Sequence, residues 1–358
     1  MKTLVLWADG RSPNLGVRAL ADGSAALVRR VHPDAQFTFH NFGRPIPQLP
    51  VGRFTSLARE RVTGRHGMQR WLAGFDLVVD TRSGDSFADI YGMRRLTMMS
   101  AIAECAVQAG VPVVLGPQTI GPFETRRGRW LARHSMRRAA LVMARDTESA
   151  RYAASIGRPA DVTTTDVVFA IPAEETPKSR DVVLNVSGLL WNGNRHVDAD
   201  SYRGVVTSLI DELLAAGREV TVLAHVLEST SPDNDVPAVR EVAALFPGRI
   251  DTVIPESLGD VREAVASAEV VLGSRMHACL NALSLGTPAV PLAYSRKFAP
   301  LLSDLGWTAT VDLRTDPDPL AAALDALADP ELAAAAARTR ERAQAALRSA
   351  EDAIRGLG

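Results

Sequence analysis

At 358 residues the chain is too long for one compact core and suits two domains, each large enough to bury its own. Its 46% hydrophobic and 23% charged residues are ordinary globular values that exclude a disordered chain. A net charge of −1 gives no global reason for a nucleic-acid or membrane partner. The charge is uneven, however. Residues 1–175 hold 23 basic against 16 acidic side chains, and the remainder 17 against 25, so the two halves carry +7 and −8. That bias favours an anionic ligand on the first half, although most of these charges read as solvated helix faces.

Short β-branched runs alternate with helical patterns, the signature of parallel α/β layers. Strands are expected at Thr3–Trp7, Gln36–His40, Leu77–Asp80, Val111–Leu115 and Leu141–Ala144. Helical patterns fall between them, such as Leu96–Ala109 ending on Gly110. The stretch from Ile171 to Arg180 has two prolines, mixed charge and no period, and serves as the linker. Further strands are expected at Val182–Val186, Glu219–Leu223, Ile250–Val253, Val270–Leu272 and Ala289–Leu292. After Asp316-Pro-Asp-Pro319 an Ala-rich helical tail follows. The pattern predicts two doubly wound Rossmann-like domains, 1–175 and 181–315, with a tail 316–358 that can cross back to the first. Two such sheets put the carboxyl ends of their strands at a shared cleft, where ligands bind. Cys105 and Cys279 are too few and too far apart for a disulfide scaffold or a Cys-rich zinc site. The first strand is too short for a signal peptide and no apolar run spans a bilayer, so a cytoplasmic protein is expected.

Informative residues should then sit just after strands. The strongest group is Val270-Val-Leu-Gly-Ser-Arg-Met-His277, where Ser274 is placed to cap a helix closed by Gly286. Arg275 and His277 fall in its first turn, where free N–H groups and the helix dipole favour an anion. The alternative is an Arg paired with a neighbouring carboxylate and a packed His. The chain has 37 arginines and three lysines, and one of those lysines, Lys297, follows Tyr294-Ser-Arg, as if a compact charge were wanted there. In the first half, Ser83, Gly84 and Ser86 allow close approach to the backbone, and Asp85 can accept bonds from sugar hydroxyls; an ordinary capped turn fits equally. Gln118 lies in a stiff loop between two Gly-Pro pairs, and Arg145-Asp146 follows a strand directly. Asn14-Leu-Gly16 after the first strand and His225 after a later one complete the set. Dinucleotide, P-loop, nucleophile-elbow and His-Glu-x-x-His signatures are absent, so neither a nicotinamide nor a flavin cofactor is expected. The stripe Arg126, Arg129, Arg133, Arg137 runs along one helix face and reads as solvated.

These segments resemble a known family. Gly84-Asp-Ser-Phe87, Gly116-Pro-Gln-Thr-Ile-Gly-Pro-Phe123, Ala144-Arg-Asp-x-x-Ser149, Gly273-Ser-Arg-Met-His277 and Tyr294-Ser-Arg-Lys297 resemble, in order and spacing, the polysaccharide pyruvyl transferases. The resemblance covers nearly the whole chain and implies a GT-B-like fold, phosphoenolpyruvate as donor, and no metal or nucleotide. Carried over by position, the donor-binding arginines fall on Arg145 and Arg275 and the family histidine on His277. Ser274, Met276, Tyr294, Lys297 and Gln118 join the donor side, and Asn14, Gly84, Asp85, Ser86 and His225 the acceptor side. The family usually has Gly-Asp after the early Asn, whereas here Val17 follows Gly16.

The chemistry asks for these residue types. Phosphoenolpyruvate has a carboxylate and a phosphate, which two cations on facing domains can clamp. Ketal formation protonates the methylene carbon, and a His beside a bound multianion can supply that proton, here His277. The implied acceptor is a sugar, glycan or lipid-linked saccharide, with no nucleic acid, no membrane span, and a peripheral membrane contact still compatible. A sugar-nucleotide glycosyltransferase or epimerase, or an idle ligand-binding relative, would share the same scaffold.

Overall fold

The computed structural model describes residues 1–42, 46, 48–50, 54–65, 67–229, 233–295 and 298–357. All ten expected strand runs form strands: β1 (Lys2–Leu6), β2 (Gln36–His40), β3 (Leu77–Asp80), β4 (Val113–Gln118) and β5 (Leu141–Ala144), followed after the two-residue β6 (Val162–Thr163) by β7 (Arg180–Asn185), β8 (Val220–Leu223), β9 (Asp251–Val253), β10 (Ala268–Gly273) and β11 (Ala289–Ala293), with β12 (Val311–Asp312) at the far edge. The two additions are edge strands too short to carry a periodic signal. Helices follow most strands, including Met93–Gln108, Arg126–Arg138, Met276–Leu285 and the long C-terminal Leu332–Arg355. Among the described residues no helix is long and apolar enough to cross a membrane.

Each sheet is wholly parallel with helices packed about it, so its central strands are buried and read as continuous apolar runs. β3, β5 and β8 are buried along their full lengths. The first sheet has the order β2-β1-β3-β4-β5-β6 and the second β12-β11-β10-β7-β8-β9. Strand order therefore reverses between β1 and β3 in one and between β7 and β10 in the other. Beyond the carboxyl ends of such a pair the flanking loops part, and ligands of open α/β sheets bind there. Register fixes which residues reach those ends. Leu6 is level with Asp80, and Asn185 with Gly273.

The chain divides into two compact units, residues 1–10, 20–171 and 344–358 in the first and 11–19 and 172–343 in the second. The change at 171/172 falls at the head of the Pro-containing linker. Residues 11–19 join the second unit through an antiparallel bridge between Asn14 and Val226, and the Leu227 N–H donates to the Pro13 carbonyl at 2.7 Å. Residues 344–358 join the first. Gln344 donates to the Phe169 carbonyl at 2.7 Å, and Arg30 pairs with Glu351 at 3.0 Å.

The turn after β3 departs from ordinary backbone. Arg82 and Ser83 have φ of 48° and 52°, the left-handed region that non-glycine residues rarely enter. Asp80 holds the turn there: its carboxylate accepts from the Arg82 backbone N–H at 3.2 Å and from Arg82 Nε at 2.8 Å. Both side chains are fully buried. Burial raises the Asp80 pKa and lowers that of Arg82, each opposed by the other's charge. Replacing Arg82 by Met strands a buried carboxylate and is expected to cost about 3–5 kcal/mol in urea unfolding. Asp80→Leu combined with Arg82→Met should recover most of that loss. A double variant as unstable as the single one would show that the pair does not act as a unit.

Candidate functional site

In the second unit, β10 runs one residue further than expected, to Gly273, and this draws Ser274 into the core. Ser274 therefore does not cap the following helix. Its hydroxyl shares a 2.7 Å hydrogen bond with the Tyr202 hydroxyl, which also accepts from the Ser187 N–H. Burial pushes the Tyr202 pKa up to about 12. The helix starts at half-buried Met276, with Arg275 as its N-cap residue and no side-chain cap, so His277 is its second residue. Gly286 closes the helix at φ 84°, as expected.

Arg275 is the charged centre of this end of the sheet. Its backbone N–H donates to Asn185 Oδ1 at 2.9 Å, tying β10 to β7. Its guanidinium donates to Asp235 Oδ1 at 2.6 Å and Asp233 Oδ1 at 2.7 Å, and also to the Asp233 carbonyl. The carboxylate-paired Arg is thus the arrangement found, and most of its N–H donors are committed within the protein. Desolvation would lower the Arg275 pKa, but Asp235 and Asp233 outweigh it and the net shift is upward. Asp235, fully buried, also accepts from the backbone N–H groups of Gly188, His225 and Val226. The Tyr294 hydroxyl bonds to Arg275, and its ring meets those of His196 and Phe298 edge-on at 5.3 and 5.7 Å. Lys297 lies outside the described residues.

His277 packs against the start of the helix Leu15–Val31. A Cβ added to Gly16 would lie 2.8 Å from His277 Nδ1, so only glycine admits the ring at this position. Asn14 caps that helix, its side-chain oxygen accepting from the Gly16 N–H at 2.9 Å. The Leu15 N–H donates to the His225 carbonyl at 3.2 Å. His225 is 1% exposed, and burial, with the charges of His277 and Arg275 added, holds its pKa well below 6.5. Asn14, Gly16, His225, Arg275, His277 and Tyr294 are thereby linked within one unit.

In the first unit, Gly84, Gln118 and Arg145 come together. Gly84 has φ 78° and its carbonyl accepts from the Thr119 N–H at 2.8 Å, while the Arg145 N–H donates to the Gln118 carbonyl at 3.1 Å. A Cβ on Gly84 would lie 3.7 Å from Arg145 Nη1. Arg145 is 1% exposed and its Nη1 reaches Asp166 at 3.1 Å, but its Nε and Nη2 have no hydrogen-bond partner among the described residues. Gln118 is fully buried, and neither atom of its amide has one. Asp85 accepts from the Tyr91 hydroxyl at 2.9 Å, and the buried Ser86 hydroxyl makes a long 3.4 Å contact to Asp85.

Sequence reasoning overlooked the acids that organise both groups. Asp233-Asn-Asp235 follows the end of β8, and that run of acid and amide residues past a strand was the available signal. Asp166 and Tyr202 gave none. Among the described residues no group of three or more His, Cys, Asp or Glu is placed to hold a metal.

The family model for polysaccharide pyruvyl transferases matches residues 14–296. The chain belongs to the polysaccharide pyruvyl transferase family. It has an α/β fold of two six-stranded parallel sheets. It is 21% identical over 260 residues to the amylovoran biosynthesis protein AmsJ of Erwinia amylovora, a match spanning 66% of this chain and 60% of that protein. Its fold is similar to that of UDP-GlcNAc 2-epimerase from Methanocaldococcus jannaschii, with a TM-score of 0.57 and 13% identity over 92% of this chain and 94% of that one. The spinosyn rhamnosyltransferase SpnG gives a TM-score of 0.53 and 15% identity, covering 99% of each chain. At these identities the likeness concerns the fold alone.

His225 and His40 make stability depend on pH. Burial lowers the His40 pKa to about 4, Asp9 opposing, and lowers His225 as well. Both rings stay neutral in the folded chain where an unfolded chain would protonate them. Their contribution is complete above about pH 6.5 and is lost as pH falls toward the folded values. For His40 the window runs from 6.5 to about 4 and is worth roughly 3 kcal/mol. His40→Gln should flatten the fall in urea midpoint across that window. An unchanged profile would mean that His40 is not held neutral.

Proposed function

We propose that this chain moves the pyruvyl group of phosphoenolpyruvate onto two hydroxyls of a sugar in a glycan or lipid-linked saccharide, giving a pyruvate ketal and inorganic phosphate. Family membership and the AmsJ likeness support the reaction class. One observation carries the donor assignment. Arg145 and Gln118 are buried with polar atoms that make no hydrogen bond among the described residues, although buried polar groups are nearly always bonded. A planar anionic group offering several acceptor oxygens satisfies a guanidinium edge and an amide together, and phosphoenolpyruvate has both a carboxylate and a phosphate. The donor belongs to central metabolism, and the free, buried Cys105 and Cys279 suit the same reducing cytoplasm.

His277 is assigned the proton. Its imidazolium gives one proton to the methylene carbon, the carbon–carbon π pair forms the new C–H bond, and positive charge develops at C2. A sugar hydroxyl adds there and returns its proton to His277. Phosphate then leaves with the C–O pair, and the second hydroxyl closes the ketal as its proton departs with phosphate. Arg275 and Tyr294 position the helix that bears His277. Asn14 and Gly16 set the ring against the backbone. Asp85 and Ser86 are assigned to acceptor hydroxyls, whereas His225, buried and with its pKa held well below 6.5, is unsuited to donate a proton near neutral pH.

Phosphoenolpyruvate should raise the melting temperature, since ligand at ~100 times its dissociation constant adds roughly 2.7 kcal/mol. Protection by UDP-sugars and none by phosphoenolpyruvate would replace this proposal with a sugar-nucleotide enzyme. Gln118→Leu should weaken donor binding by about ten- to a hundredfold while leaving the ligand-free protein as stable or more so. His277→Gln should bind donor nearly as well yet turn over about a hundred to ten thousand times more slowly. Near-normal single-turnover rates would remove His277 from the proton-transfer step.

A further inference from the structure

The helix Arg126–Arg138 carries a surface that folding does not explain. Gly128, Ala132, Ser135 and Met136 make its buried face. Its other face presents Arg126, Arg127, Arg129, Arg133, Arg137 and Arg138, and the helix contains no acid. In the middle of those arginines Trp130 is 66% exposed, the most exposed aromatic ring among the described residues. Arg126, Trp130, Arg133 and Arg137 follow one another at steps of four, three and four, so they share one stripe. The indole lies flat on His134, with ring centroids 5.5 Å apart and planes 11° from parallel.

Little of this charge is used internally. Arg138 and His134 face Glu104, and Arg129 donates to the Phe123 and Glu124 carbonyls. Arg126, Arg127, Arg133 and Arg137 form no ion pair among the described residues. Arg126 and Arg127 also stand in the first helical turn, where the dipole disfavours cations. The arrangement therefore sacrifices stability twice, through the dipole and through an exposed indole, with no return inside the fold.

We propose that this helix docks on an anionic lipid bilayer, its arginines on headgroup phosphates and Trp130 at the boundary between headgroups and acyl chains. A basic helix face bearing an interfacial Trp has the composition that such a boundary selects. Charge complementarity identifies the partner as polyanionic, and the geometry favours a bilayer over a nucleic acid. Single-stranded nucleic acid is held in a basic groove with successive aromatic faces. Here one indole sits on the outward side of a 13-residue helix. The inference is independent of donor and acceptor identity.

The test is sedimentation of the full chain with vesicles of phosphatidylcholine alone or mixed with phosphatidylglycerol. Binding is expected only to the mixed vesicles and should weaken with salt. Combined Arg126→Gln, Arg133→Gln and Arg137→Gln should reduce partition about a hundredfold, and Trp130→Ala about tenfold, without lowering the melting temperature. Absence of binding to mixed vesicles, or equal binding by the variants, would overturn the proposal. So would binding to RNA in the absence of vesicle binding, which would make the stripe a nucleic-acid surface.

Discussion

The second unit is organised around one buried ion pair, Arg275 with Asp235. Taking both charges out of water costs several kcal/mol, and the pair is tolerable only because nearly every donor and acceptor is satisfied. Asp235 collects N–H groups from the loops after β7 and β8, while Arg275 bonds back to Asn185 at the end of β7. Three strand ends at the point where strand order reverses are thereby drawn onto one carboxylate–guanidinium pair. A cation there without its acids would be a stability liability, at the N-terminus of a helix. With them it becomes a structural pin.

That pin sets the position of His277 two residues later. The helix begins at Met276 because the Arg275 backbone is held extended by Asn185. The His277 ring then comes against Gly16, where no side chain could be accommodated. Placing the His277 ring, the proposed proton donor, is thus a backbone matter on both sides: a fixed helix start and a glycine. In the first unit the logic differs. Arg145 hydrogen-bonds one carboxylate, Asp166, and faces a second, Asp146, at 4.0 Å, while the Gln118 amide has no hydrogen-bond partner among the described residues, so polar capacity is left over in a buried place. One arginine is spent on architecture and the other retains unused donors. The two therefore differ in how many donors they leave unbonded among the described residues, although sequence position alone makes them look alike.

Much of this was legible in the sequence, for physical reasons that also mark where legibility stopped. Parallel strands buried on both faces must be apolar along their length, so runs such as Leu77–Asp80 and Leu141–Ala144 announced themselves. β6 and β12, two residues each, are held by a neighbour's ladder and leave no local pattern. Ser274 looked like a cap because Ser before a helix usually is one. One extra strand residue carried it into the core, where Tyr202 from a distant helix supplies its partner. Arg275 and His277 were recognisable as unusual, but which acid pairs with Arg275 depends on a contact across 40 residues of chain. The same limit applies to Asp166 with Arg145. Sequence names the groups that need partners, and only the fold says which partners arrive.

The central claim is that a proton is delivered to the donor's methylene carbon during transfer, and the product's methyl group records it. The measurement is mass spectrometry of the pyruvylated acceptor formed from phosphoenolpyruvate in D2O. One deuterium in the transferred methyl group is the expected result, because one of its three hydrogens must come from the solvent-exchanged imidazolium. A product retaining an undeuterated methylene, as in an enol ether, would contradict protonation as the step that drives transfer. Failure to form any pyruvylated acceptor across sugar substrates would contradict the activity itself.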